Sequence, residues 1–415
     1  MWMMGGVEYA VIGSTLYTLS STGGLTQIAS GLLGSGFVRI TDNTQCLVIL
    51  IPGFPTAYCY TTANGLSTVM LPFAATDCWF IDSYIVFLQA NGRGFFNDDG
   101  QTVSGTGPIT FANGNQFPRE FGTDSFVGMG ISSRSVYMLG QRTSEVYVDA
   151  GSASSVGTPF VDAPNGFMQI GMLPGAQYSG VVQNNSFYWL AQDRTFRNLS
   201  GGSPVRVSNH GIESILSNIN ATGCYGFAYS LSGHSFVAWT FPNGSRTLVL
   251  DVTTGEWSEM ASFGLGYWRP LCCHNAFGLY LVGDSQSGQI GFLDVTSRTE
   301  WGTVRTSTWI HQAIYQENNR LSHRRLELVL GGGFAPLTGS TDATIPQITL
   351  SISDNGGMTW RAMPMRTIGS TGQYQNRVVW FGLGISRQRV YQFELSADAQ
   401  SWVTDLVLTA EAGRW

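Results

Sequence analysis

The chain has 415 residues and a formal net charge of −6, and all 21 of its basic residues are arginine. Without lysine it offers neither the ammonium of a phosphate loop or protein kinase nor a Schiff base, and its negative balance opposes tight wrapping of nucleic acid. Only 12% of residues are charged, against 52 glycines and 13% aromatics, a composition suited to many turns and to broad contact with other subunits.

The opening MWMMGGVEYAVIG has no basic n-region and is interrupted by Glu8, so it does not read as a signal peptide. No apolar run approaches the roughly 20 residues of a membrane helix, and no membrane partner is expected. From Val7 to about Val295, short apolar or aromatic strands alternate with polar turns. Similar strand centres fall at Tyr17, Tyr58, Phe95, Val146, Phe196, Leu248 and Phe292. That spacing is the one expected of four-stranded propeller blades. Two segments are alike directly, RTLVLDVTTGEW and GQIGFLDVTSRTEW. In each an apolar strand ends in Asp-Val-Thr, a turn follows, and then Trp257 or Trp301, as in kelch-type blades. A lone blade cannot bury both faces of its sheet, so a closed ring of six blades is expected in residues 1–303.

Asp98-Asp99-Gly100 and Phe241-Pro242-Asn243-Gly244 have hairpin-turn composition, and 151–159 reads as a longer loop. One segment, Gly211 to Asn220, places Ile212, Ile215, Leu216 and Ile219 at helical spacing. Four N-x-S/T triplets, at Asn184, Asn198, Asn220 and Asn243, are expected by chance in a chain so rich in these residues. Six cysteines without regular spacing make no disulfide framework, and a reducing compartment is the simpler reading.

Beyond about residue 304 the character changes. RLELVLGGG, VVWFGLG and WVTDLVLTA are spaced like the strands of a β-sandwich, assigned to 304–415. Within it QITLSIS alternates apolar and polar residues, and SDNGGMTW then resembles an Asp-box hairpin. Asn355 stands where the Asp usually does, Gly356 and Gly357 permit the reversal, and Trp360 is expected to pack beneath the turn. Charge divides with the architecture: residues 1–304 hold 11 Arg and 19 acids (−8), and 305–415 hold 10 Arg and 8 acids (+2). Arg305, Arg320, Arg324, Arg325, Arg387 and Arg389 are therefore the candidate interface residues. They suit a protein partner better than a nucleic acid, because Glu317 and Glu327 lie among them.

No catalytic, cofactor or metal residue is assigned. Cys272-Cys273-His274 invites a metal, but neighbours on a strand point to opposite faces. FVRIT around Arg39 faintly matches a sialidase arginine motif without its proline, and the single Asp-box-like turn is too few for that glycosidase fold. A monomeric kelch-like binding module is the other alternative.

At GHSFVAWTF (233–241), LVLDVTTGEWSEM (248–260), YLVGDSQSGQIGFLD (280–294), SNHGIESIL (208–216) and RVVWFGLGISRQRVYQFELS (377–396), the sequence resembles the tail hub, or nozzle, proteins of short-tailed bacteriophages, also called packaged-DNA stabilisation proteins. The similarity runs in order from about Val7 to Ser396. It implies a structural protein of the virion tail, assembled in the host bacterial cytoplasm. It further implies a homohexameric ring below the portal and adaptor, with tail fibres or tailspikes and a tail needle or plug as partners. Double-stranded DNA would pass through without specific binding, and the arginine-bearing second domain would dock the adaptor. Such proteins often carry an arm ahead of the first blade, whereas this sequence opens almost on its first strand.

Overall fold

A computed structural model describes residues 1–413 except 90–92, 99–108, 113–114, 119–120, 152–158, 200–202, 318, 335–343, 375 and 398. The hairpin at Asp98-Asp99-Gly100 and most of the 151–159 loop therefore lie outside the described residues. The chain divides into two compact units, residues 1–293 and 294–415.

The first unit is a succession of antiparallel meanders. Six four-stranded sheets occupy 2–30, 39–70, 75–118, 126–168, 181–206 and 225–259, and a three-stranded sheet follows at 270–292. The expected ring of six is thus one sheet short. All seven strand centres picked out by periodicity fall in the third strand of a separate sheet, from Tyr17 in Thr15–Leu19 to Phe292 in Ile290–Phe292. Each of the seven centres thus marks one sheet, at intervals that vary because the sheets differ in loop length.

What makes these sheets a propeller is where the buried side chains lie. Every apolar cluster of the unit sits between two consecutive sheets. Leu16 and Tyr9 meet Leu47 and Ile49; Val48 and Cys59 meet Phe87 and Phe95; Val86 and Phe96 meet Met129 and Met138. Tyr137 and Leu139 then meet Phe187 and Trp189, Phe196 and Leu190 meet Trp239 and Leu248, and Phe227 and Val249 face Leu271 and Tyr280. The seventh seam returns to the start, where Leu19 packs with Ala276 and Leu281 beside Met1, Met3 and Ile290. Among the described residues no strand is shared between the last sheet and the first, and the seam between them is a packing of side chains. His274 Nδ1 lies 3.0 Å from Glu8 Oε2 across that seam, and Trp2 stacks on the same imidazole.

The helix His210–Asn218 forms where its apolar spacing predicts. The Asn209 side chain accepts a hydrogen bond from the Ile212 N–H (3.0 Å) as its N-cap. Ile212, Leu216 and Ile219 pack into the seam between the fifth and sixth sheets. Cys46, just ahead of Leu47–Leu50, is disulfide-bonded to Cys59 of the adjacent Thr56–Thr61, a single pair and not a framework; Cys78, Cys224, Cys272 and Cys273 are free. Thirteen residues apart in sequence, the pair is brought together by a hairpin that spacing rules do not reveal.

The repeated Asp-Val-Thr segments diverge. After RTLVLDVTTGEW the strand Trp257–Glu259 folds back on Arg246–Asp251, with the Asp251 carboxylate accepting from the Thr253 N–H (2.9 Å) and the Thr254 hydroxyl (2.9 Å). After GQIGFLDVTSRTEW, Thr299–Glu300 pairs forward with Thr303–Val304 about a turn in which Trp301 and Gly302 both have positive φ. The seventh sheet therefore keeps three strands.

The second unit is a two-layer sandwich. One layer orders Thr306–Ile310, Gln388–Ser396, Gln347–Ser353 and Arg361–Ala362, with Ile314–Tyr315 and Arg366–Thr367 as added short strands. The other has Leu321–Phe334 between Arg377–Ser386 and Gln400–Ala412. Leu326, Leu328, Leu330, Val378 and Trp380 of the second layer meet Ile348, Leu350, Ile352, Tyr391, Phe393 and Leu395 of the first. No strand of 348–408 completes a propeller sheet.

Candidate functional site

The six candidate arginines of the second unit fare differently. Arg305, Arg320 and Arg387 are exposed. Arg324 is also exposed and pairs with Glu411 at the surface. Arg325 is committed to Glu327, which also binds Arg377, and these two guanidinium groups hold the Glu327 carboxyl below its ordinary range. Arg389 is no surface residue at all. It is 1% exposed and makes a two-pronged ion pair with Asp354 (2.6 and 2.9 Å) while donating to the Leu383 carbonyl (2.7 Å). The alternation that buries Tyr391, Phe393 and Leu395 extends one step back to Arg389, and that parity was the missed signal.

The ends of three strands bring three of the exposed arginines together, and Arg305, beside Thr306 opposite Ser396, lies apart from them. Leu321 stands opposite both Ser386 and Ala412, so Arg320, Arg324, Arg387 and Glu411 share one end of the sandwich. Beneath it lies a buried polar group, His323, whose Nδ1 and Nε2 are hydrogen-bonded to the Tyr391 hydroxyl (2.7 Å) and the Ser386 hydroxyl (2.9 Å). Burial, with Arg389 nearby, lowers the His323 pKa to about 4, and burial raises that of Tyr391 to about 12.

In the SDNGGMTW turn Asn355 does the work of the usual Asp. Its Oδ1 accepts from the Thr359 N–H (2.9 Å) and the Ser353 hydroxyl (2.8 Å), and Ser353 Oγ in turn accepts from the Gly357 N–H (2.9 Å). Gly356 and Gly357 have φ of 71° and 92°, the left-handed region this turn requires. Trp360 is 37% exposed, with its ring lying toward Gly357 of the turn. Asp354, freed from the turn, is what anchors Arg389.

Within the propeller, Arg39 is not presented to a substrate. Its guanidinium pairs with Asp77 (2.9 Å) and lies over the rings of Phe37, Trp79 and Tyr178 at 5.2–5.6 Å. Phe37 stacks on Tyr178 at 4.6 Å and approaches Tyr225 at 6.0 Å. Phe37 precedes the second sheet, Tyr178 lies ahead of the fifth and Tyr225 belongs to the sixth, so this cluster joins segments of sheets that are not neighbours in chain order. Burial raises the Asp77 pKa even though Arg39 opposes the shift. Sequence could not find this group, since its members lie up to 188 residues apart (from Phe37 to Tyr225). Among the described residues no three His, Cys, Asp or Glu side chains gather as a metal site. His274 of the CysCysHis segment is turned to Glu8.

Comparison with known families decides the identity. The model of "Bacteriophage P22 Gp10, beta-propeller" matches residues 1–298, and that of "Bacteriophage P22 Gp10, beta-sandwich" matches 308–411. The chain belongs to the P22 Gp10 family. It is a structural protein of a phage tail and not an enzyme, which sets aside the sialidase alternative. No curated protein matches it. Among solved structures, BamB from Moraxella catarrhalis is similar over 76% of this chain and 92% of its own (14% identity, TM-score 0.41). The N-terminal domain of Nup159 is similar over 69% and 86% (10%, 0.44), and the WD40 propeller of Doa1 over 68% and 88% (9%, 0.41).

Proposed function

We propose that this P22 Gp10 family member is the tail hub of a short-tailed phage. Six copies form a ring below the portal and adaptor that retains the packaged genome and conducts it during ejection. The observation that carries this reading is the pairing of a propeller with a sandwich over nearly the whole chain, each matched by its own family model. Two features of the chain support it. The cluster of Phe37, Tyr178 and Arg39 joins non-neighbouring sheets inside the propeller, which favours a DNA path enclosed by several copies over one along a propeller's own axis. Arg39, Arg134, Arg197, Arg206, Arg246 and Arg269 of the first unit are each paired with a carboxylate, which leaves them little free charge for phosphates. A wall of this kind lets DNA slide, and closure falls to a separate needle or plug.

The exposed arginines Arg320, Arg324 and Arg387 form the face that meets the adaptor ring, whereas Arg305, next to Thr306 opposite Ser396, lies at the other end of its sheet, and tailspikes or fibres attach elsewhere on the ring. The protein resides in the virion tail after assembly in the host cytoplasm. Particles lacking it should fill with DNA and then lose it, and the isolated protein should bind duplex DNA weakly even at low salt. Stable, filled particles without the protein would contradict the assignment. Submicromolar duplex binding would contradict the sliding wall.

A further inference from the structure

The three-stranded layer of the sandwich leaves two long edges open. Arg377–Ser386 and Gln400–Ala412 flank Leu321–Phe334, and among the described residues neither has a second strand partner. Edge strands expose a row of unpaired N–H and C=O groups, which proteins ordinarily blunt with proline, a bulge or a cover. The stretch Gln400–Ala412 contains no proline, and Trp402, Val403 and Val407 along it are 40–50% exposed. The other edge bulges at Gly382 and Gly384, both of positive φ, which leaves Arg377–Phe381 as its straight part.

The two edges match each other. Both strands are antiparallel to the central one, so they run in the same direction. Copies related by rotation about a ring axis therefore present one edge to the opposite edge of the next copy in parallel orientation. Their charges are complementary: Arg377 is the only charged residue of one strand, and Asp405 and Glu411 are the only charged residues of the other. Arg377 and Asp405 both stand opposite Val329, so a level pairing sets them side by side. In the same register Phe381, 66% exposed, comes level with Thr409, and Val379 with Val407. Arg377 also binds Glu327 but keeps a 67% exposed side chain, free to bridge a second carboxylate.

We infer that the segment 377–381 of one copy pairs with 405–409 of the next, making the three-stranded layers one continuous sheet around the ring. This rests on the hub reading above and names the surface through which its copies join. The test is hydrogen–deuterium exchange on the full-length protein, assembled and dissociated, together with sedimentation of Asp405→Arg and of Asp405→Arg/Arg377→Asp. Pairing predicts slowed exchange at alternate amides of 377–381 and 405–409 on assembly. It predicts at least a roughly tenfold higher concentration for assembly of Asp405→Arg, with recovery in the swapped double variant. Because Arg377 also holds Glu327, folding of the double variant is checked by near-UV circular dichroism; should it not fold, exchange and the single variant decide. A ring whose edge amides exchange as fast as in the free chain overturns the strand pairing and leaves the hub reading standing. Protection that appears only when another tail protein is added assigns the edges to that partner and overturns pairing between copies. A chain that stays monomeric in solution and in virions overturns the ring, and this inference with it.

Discussion

The two units handle the same problem, a sheet with exposed faces and edges, in opposite ways. In the propeller each sheet buries both faces against its neighbours, and the seventh packs on the first, so the unit satisfies itself. The sandwich buries one face of each layer and leaves the long edges of its three-stranded layer bare. Surface charge partly follows the same division, with Arg389 of the sandwich, buried against Asp354, as an exception. Propeller arginines such as Arg39 and Arg269 are held by internal carboxylates, whereas Arg305, Arg320 and Arg387 of the sandwich stay at the surface. A region complete in itself leaves little for a neighbour to cover; a region with open edges and surface charge is where the proposed partners would bind.

The strongest way to probe this contrast is to remove a buried aromatic on one side of it. Trp239 is fully buried, stacks on Phe196 at 4.1 Å and donates its indole N–H to the Ser179 carbonyl (2.8 Å). Trp239→Ala should cost the propeller about 3–5 kcal/mol, read as a lower midpoint in denaturant with the Trp380 environment of the sandwich unchanged.

Acid should separate the units next. His323 is neutral in the folded sandwich with its pKa lowered from 6.5 to about 4, so the unfolded chain binds more protons between those values and stability falls as pH falls through that window. The loss approaches about 3 kcal/mol by pH 4, from the size of the shift. Tyr391, Ser386, Arg389 and Asp354 surround the ring, and the nearby Arg389 cation adds to the cost of protonation. In the propeller the lowered groups are Asp193, Glu213, Asp251 and Asp284, whose contribution persists until the pH falls below the ordinary carboxylate range; Asp77 and Asp149, raised by burial, work in the opposite sense. Circular dichroism melts from pH 7 to 4 should show the sandwich weakening first, and His323→Gln should flatten its response.

How much of this contrast could be read in advance depends on the range of the interaction. The seven strand centres, the helix with Ile212 and Leu216, and the Asn355 turn are set by neighbours in sequence, and they stand where the pattern puts them. The seventh sheet, the Cys46–Cys59 pair and the Arg39 cluster depend on distant segments and leave no local trace. Arg389 was legible in principle, but arginine on a strand was read as surface before its parity with Tyr391 was considered.

Smaller effects sharpen the picture inside the propeller. Among the described residues the closing seam holds three buried apolar residues, fewer than any other seam, so Leu281→Ala should cost about 2 kcal/mol, near the low end for such truncations. Leu190→Ala, in the seam with Trp239 and Phe196, should cost more. Hydrogen exchange should find strands Trp2–Met4 and Ile290–Phe292 opening ahead of the others. The smallest change is at the helix, where Asn209→Ala should remove about 1 kcal/mol through loss of the cap to Ile212.

The central claim is that several copies of a self-contained propeller are joined through the sandwich into a channel for DNA. Cryo-electron microscopy of intact virions tests it most directly by counting copies in the tail and locating the DNA path. The account predicts a closed ring of six below the adaptor, with the path enclosed between subunits rather than along a propeller's own axis. A single copy in the tail, or DNA threaded along a propeller axis, would contradict it.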